Sequence, residues 1–250
     1  MSERQHLIHG IHAVLAALNL HENSVHEVWV DSARRDVRLT QLSEAARHAN
    51  IKLHAVAQRE LDELAPGARH QGVIARCKAL PVYNESDLLA LLEHLGEPAF
   101  LLVLDGVQDP HNLGACLRSA DAAGVHAVVV PRDRAAPITA VVHKVASGAV
   151  EAVPFFQVTN LARTLRELQG TGVWLVGMAG EAQDTLYEAD LSGPLALVLG
   201  GEGEGLRRLT REHCDSLVRI PMMGTVESLN VSVATGICLF EAVRQRGIIK

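Results

Sequence analysis

FLLVLDGVQDPHNLGACLRSADAAG, residues 100–124, decides the fold. Its first five residues are apolar without alternation and too few for a helix, the pattern of a strand buried on both faces of a parallel sheet. Asp109-Pro110 then marks a turn. Leu113, Leu117, Ala120 and Gly124 follow at helical spacing, predicting a helix over 113–123 with Asn112 at the N-cap position. Strand, turn and helix in that order are the unit of a helix-covered parallel sheet.

The same grammar continues toward the C-terminus. HAVVV (126–130), VWLVG (173–177) and LALVL (195–199) read as buried strands, and LVRI (217–220) as another. Helical patterns fall at 138–147, 159–168 and 205–212. A last helix is expected over 231–244, with Val233, Ile237, Phe240 and Val243 along one stripe.

Toward the N-terminus the units are shorter. Helices are expected at 11–20, 37–49 and 58–64, and strands at 26–30, 52–56 and 72–77. ALPVYNES (79–86) breaks the periodicity and reads as a linker, followed by a helix at 87–95 and the turn GEP at 96–98. The expected organisation is a small α/β domain over 1–78, a linker with a connecting helix over 79–96, and a larger α/β domain over 97–250.

Composition narrows the function without naming it. No apolar run approaches the length of a membrane span, and the first ten residues lack the apolar core of a secretory signal, so a cytoplasmic protein is expected. Cys77, Cys116, Cys214 and Cys238 lack metal-ligand or disulfide spacing and read as reduced thiols. The thirteen histidines show no H-E-x-x-H or comparable metal spacing, so no metal is expected. The net charge of −6 is unlike a strongly basic nucleic-acid binder. It is uneven, however: residues 1–80 hold ten Lys/Arg against nine Asp/Glu, and the rest thirteen against twenty.

Three segments follow buried strands, where parallel α/β sheets bind ligands. One is the turn and helix from Asp109 to Arg118. The second is GGEGEG (200–205), whose glycines let backbone approach a ligand while Glu202 and Glu204 would repel phosphate. The third is IPMMGTVESLNVSVA (220–234), where Ser228 and Asn230 precede the last helix. The spacing is neither G-x-G-x-x-G nor a P-loop, so dinucleotide and nucleoside triphosphate sites are poorly supported. Taken singly, Asn112, Ser228 and Asn230 are ordinary helix caps and Arg118 is a solvated side chain.

Together, D-P-x-N-x-G-x-x-x-R (Asp109 to Arg118), G-G-E-G-x-G (Gly200 to Gly205) and I-P-M-x-G-x-x-x-S-L-N-V-S-V-A (Ile220 to Ala234) resemble the three motifs of the SpoU (TrmH-like) RNA 2′-O-ribose methyltransferases. Gly10–Val14 and His70–Val73 are similar to the small RNA-binding module of members that methylate a guanosine of 23S ribosomal RNA. The resemblance implies the SPOUT fold, a parallel sheet with a C-terminal trefoil knot, preceded by a small α/β RNA-binding domain. It implies S-adenosylmethionine as cofactor, and 23S rRNA or an assembling large subunit as partner. It further implies a homodimer whose active site is completed across the subunit interface. Residue by residue, it places Met178, Gly200, Ile220 and Leu229 around the cofactor. Asn112, Arg118, Glu202, Ser228 and Asn230 fall at its catalytic or site-ordering positions. A tRNA methyltransferase and a non-catalytic ribosome-assembly protein on the same scaffold are the competing readings.

Overall fold

The structure is a computed structural model that describes residues 5–20, 24–78 and 83–247. The chain divides into two compact units, Met1–Pro81 with Ile138–Ala152, and Val82–Pro137 with Val153–Lys250. Residues 79–82, the first half of the expected linker, lie outside the described residues.

The first unit contains β1 (Gln5–His9), α1 (Ile11–Leu20), β2 (Val25–Asp31), α2 (Val37–His48), β3 (Lys52–Val56), α3 (Gln58–Leu64) and β4 (Val73–Lys78). Its sheet has the order β1-β4-β2-β3, with β4 antiparallel to both neighbours and β2 parallel to β3. Ile8, Val14, Val28, Leu42 and Val73 build the core on one face, and Trp29, Leu61 and Ile74 a smaller cluster. Strand β1 has no counterpart in the sequence reading, because QHLIH is too polar and too short to stand out.

In the second unit, α4 (Glu85–Glu93), β5 (Phe100–Asp105), α5 (Pro110–Ala123) and β6 (Ala127–Pro131) come first. The predicted helix at 138–147 is α6 (Ala140–Ala146), followed by a further short helix, α7 (Ala149–Ala152), and both belong to the first unit. Ser147 and Gly148 separate the two with φ of 57° and 102°. A Cβ on Gly148 would stand 2.8 Å from that of Ala16, so α7 packs against α1 only through a glycine at this point.

The second unit resumes with β7 (Phe155–Val158), α8 (Leu161–Gly170), β8 (Trp174–Met178), β9 (Asp184–Thr185), β10 (Leu195–Gly200), α9 (Arg208–Glu212), β11 (Ser216–Arg219) and α10 (Val231–Gln245). Among the described residues its seven strands run in the order β7-β6-β5-β10-β8-β11-β9, each parallel to its neighbours. Strand β5 is buried along its whole length, and β6 likewise, as unbroken apolar runs require. The short edge strands β7 and β9 were not legible from hydrophobicity.

Local chemistry corrects two helix starts. The N-cap of α5 is Asp109, whose carboxylate accepts from the His111 N–H at 2.8 Å, with Pro110 in the first turn. That releases Asn112 from the capping role expected of it. Helix α9 starts at Arg208 rather than 205, because Gly203 and Gly205 at φ of 83° and 65° keep the preceding loop in turns.

Candidate active site

Three loops meet at the carboxyl ends of β5, β10 and β11. A charge at the end of an otherwise apolar strand holds two of them together: Asp105 is 1% exposed. Its Oδ2 accepts from the Arg207 backbone N–H at 3.1 Å, and its Oδ1 from the Arg207 guanidinium Nε at 2.5 Å. Gly201 donates its N–H to the Asp105 carbonyl at 2.8 Å. A Cβ on Gly201 would collide with the Gly106 carbonyl, and one on Gly200 with the backbone of Gly205. The loop after β10 is therefore folded back on itself and seated against the loop after β5, at distances only glycine permits. Asp105 is not among the residues expected from sequence; a lone carboxylate closing the run FLLVL was the available signal.

Behind this loop lies a cavity of about 490 Å³. Met178 from β8, Gly200 from β10, and Ile220, Ser228 and Leu229 from the β11–α10 loop line it. All four residues expected around the cofactor thus share one wall system. Its apolar side chains suit a purine and its bare backbone offers hydrogen bonds. The carboxylates of Glu181, Glu202, Glu204 and Glu227 give its rim negative charge, which suits a sulfonium and an ammonium. The donor set fits S-adenosylmethionine. A phosphate-bearing nucleotide would face these four carboxylates with one lining cation, Arg219, which already donates to the Ala182 and Gln183 carbonyls.

Three of the candidate catalytic residues form one hydrogen-bonded chain. Asn112 is 7% exposed, and its Nδ2 donates to Glu202 Oε1. Asn230 Nδ2 donates to Asn112 Oδ1 at 3.0 Å and stands 3.4 Å from Glu202 Oε1. Asn230 is also the N-cap of α10, its Oδ1 accepting from the Ser232 N–H at 2.9 Å and the Ser232 hydroxyl at 2.6 Å. Both carboxamides are thus held in one orientation, and a residue that reads as a cap doubles as the link between motifs. Beneath the chain, Cys116 and Thr235 join α5 to α10, with sulfur and oxygen 3.4 Å apart. Burial, with Glu202 adding to it, pushes the Cys116 thiol up to about 11 and keeps it neutral.

Arg118 is not brought to this cluster. It is exposed on α5, makes no hydrogen bond or ion pair among the described residues, and is absent from the cavity wall. A second, polar cavity of about 520 Å³ shares Glu202 and Glu204 with the first and adds Gln108, Asp109 and Arg134. The last helix supplies a further correction. Its buried face is Val231, Thr235, Cys238, Leu239 and Ala242, whereas Val233 and Phe240 from the predicted stripe are 51% and 50% exposed.

Residues 99–240 match the model of the SpoU rRNA Methylase family, and residues 7–83 that of the RNA 2′-O ribose methyltransferase substrate binding domain. A 23S rRNA (guanosine-2′-O-)-methyltransferase RlmB from Yersinia pestis is 59% identical over 242 residues, covering 97% of this chain and 98% of the relative. A crystal structure of an RNA 2′-O ribose methyltransferase superposes with a TM-score of 0.79 at 30% identity, covering 99% of this chain and 91% of the other. The SpoU methyltransferase AviRb from Streptomyces viridochromogenes in complex with the cofactor AdoMet gives a TM-score of 0.78 at 25% identity, covering 98% and 92%.

Proposed function

The chain belongs to the SpoU rRNA methylase family, and from that membership we propose that it transfers the methyl group of S-adenosylmethionine to the ribose 2′-hydroxyl of a guanosine in 23S rRNA. The observation that carries this reading is the 490 Å³ cavity beside the Asn112–Glu202–Asn230 chain. An empty scaffold for ribosome assembly would have no need of it. Family membership also implies the trefoil knot, and ribosomal RNA as substrate implies work in the cytoplasm.

When bound, the cofactor supplies an electrophilic methyl group and its own leaving group, so the protein must position a ribose oxygen and manage one proton. Glu202 sets the rotamers of Asn112 and Asn230, and these hold the β11–α10 loop against α5. Ser228 and Asn230 then order the ribose end of the cavity, while Met178, Gly200, Ile220 and Leu229 grip the cofactor. A guanidinium is a poor base. Arg118 instead engages the target phosphate and stabilises the developing alkoxide, while the 2′-hydroxyl proton passes to solvent water.

Arg118 does this in a homodimer, each copy's guanidinium completing the other's cavity. Two observations support that arrangement: Arg118 is exposed and unpaired among the described residues, and α10 turns Val233 and Phe240 outward. An apolar stripe of that kind suits an isologous contact. The N-terminal unit, which matches the substrate-binding model and carries the less acidic part of the chain, binds the RNA. Transfer of labelled methyl from S-adenosylmethionine to a 23S rRNA fragment, followed by nuclease mapping, tests the whole reading. Methyl recovered on the ribose oxygen of one guanosine is expected. Methyl on a base, or transfer to tRNA alone, would refute it.

A further inference from the structure

Away from the cofactor cavity, the first unit gathers three metal-ligating groups that no spacing in the sequence announces. His6 lies on β1, His143 on α6 and Glu151 on α7. One ligand atom from each lies within 4.8 Å of the others. His143 Nδ1 is 3.3 Å from Glu151 Oε1, and the His6 and His143 rings are 5.2 Å apart between centroids. From this juxtaposition we infer that His6, His143 and Glu151 form a binding site for a divalent transition-metal ion of the zinc type.

Geometry, burial and charge each support the site. Tetrahedral zinc with bonds of about 2.0–2.2 Å separates its ligand atoms by roughly 3.3 Å, so the cluster closes on an ion with a contraction of at most about 1.5 Å. His143 and Glu151 are 9% and 5% exposed. A simple ion pair between those two is the competing account of the cluster. It leaves His6 Nε2 unexplained, since that atom is buried without a hydrogen-bond partner among the described residues. Two imidazoles and a single carboxylate suit a borderline-soft dication better than magnesium or calcium, which prefer oxygen.

Cys77, opposite His6 in the β1–β4 register, forms the adjoining wall. An ion here would clip β1 to the α6–α7 segment, two parts of the unit that are remote in sequence.

The test uses the full-length protein stripped by a chelator, titrated with Zn²⁺ by calorimetry and with Co²⁺ by visible absorption. Saturation at one equivalent, the intense bands of tetrahedral cobalt and a raised Tm are expected. His143→Gln and His6→Asn should each weaken binding by at least about tenfold. Circular dichroism and an unchanged S-adenosylmethionine affinity establish that the variants remain folded. No saturable binding in the micromolar range overturns the site. So does one-equivalent binding that survives in both variants, which would place the ion on other histidines.

Discussion

Replacing Gly200 by alanine should disable the cavity while sparing the sheet. The new Cβ would sit well inside 3.0 Å of the Gly205 carbonyl carbon and oxygen and of the Leu206 nitrogen, all backbone atoms. Ordinary contact begins near 3.5 Å, so the 201–206 segment must recede by at least about 1 Å. Overpacking of this kind costs about 1–3 kcal/mol. Nor can the loop recede freely, because Gly201 and Arg207 tie it to Asp105 on either side of the strained segment. Glu202 would move with it and release Asn112 and Asn230. A misplacement near 1 Å costs about 10²-fold in rate, and a comparable loss of cofactor affinity corresponds to ~2.7 kcal/mol. Calorimetry with S-adenosylmethionine, thermal melts and single-turnover methylation measure the three effects. Gly193→Ala is the control, because a Cβ there meets nothing within 4 Å. If the Gly200→Ala protein bound cofactor with wild-type affinity, the loop could not be the grip described above.

Arg118→Ala should leave cofactor affinity unchanged and slow methyl transfer by about 10²–10³-fold. If Arg118 acts on the other copy, mixing that variant with Gly200→Ala should restore up to about a quarter of the activity through mixed dimers; a mixture as dead as its parents rejects the shared site. Asp105→Asn removes the charge paired with Arg207, whose side chain is 36% exposed. The loss should be about 2 kcal/mol, below the range for a fully buried pair, and urea unfolding reads it directly. The pH dependence concerns His6 and His9, both held below the ordinary value of 6.5, chiefly by burial. A depressed histidine favours the unfolded chain once protons bind it, so in chelator this contribution to stability is full above pH 6.5 and lost as pH falls below it. Melts from about pH 8 to about pH 5 should show Tm falling, less steeply in His6→Asn; a Tm that climbs toward acid contradicts the assignment.

Much of the larger unit is visible in residues alone. FLLVL, HAVVV and LALVL, and VWLVG apart from half-exposed Trp174, are buried on two faces, and such burial writes itself into sequence as unbroken apolar runs. The four positions proposed for the cofactor and the five catalytic candidates came from motif wording, which no periodicity supplied; Met178, Gly200, Ile220 and Leu229 share one cavity, and Arg118 lies outside it. Elements with weak local signals were not legible: β1, β7 and β9 are short and lie at sheet edges, where neighbours rather than composition decide strand character. Asp109 and Asn112 are both good caps three residues apart; Pro110 in the first turn was the local signal for Asp109, whereas the meeting of Asn112 with Glu202 could not be read from sequence. The reading of α10 met the same limit. That helix has apolar residues on two faces, and which one is covered depends on where α5 and the sheet lie.

Local sequence therefore determined strands, helices and motif residues, because hydrophobic period and turn chemistry act within a few neighbours. Tertiary structure alone decided which distant groups meet: Asn112 with Glu202 and Asn230, Asp105 with Arg207, and His6 with His143 and Glu151. Those pairings join segments separated by whole strands and helices, and chain order carries no record of the distance between them in space.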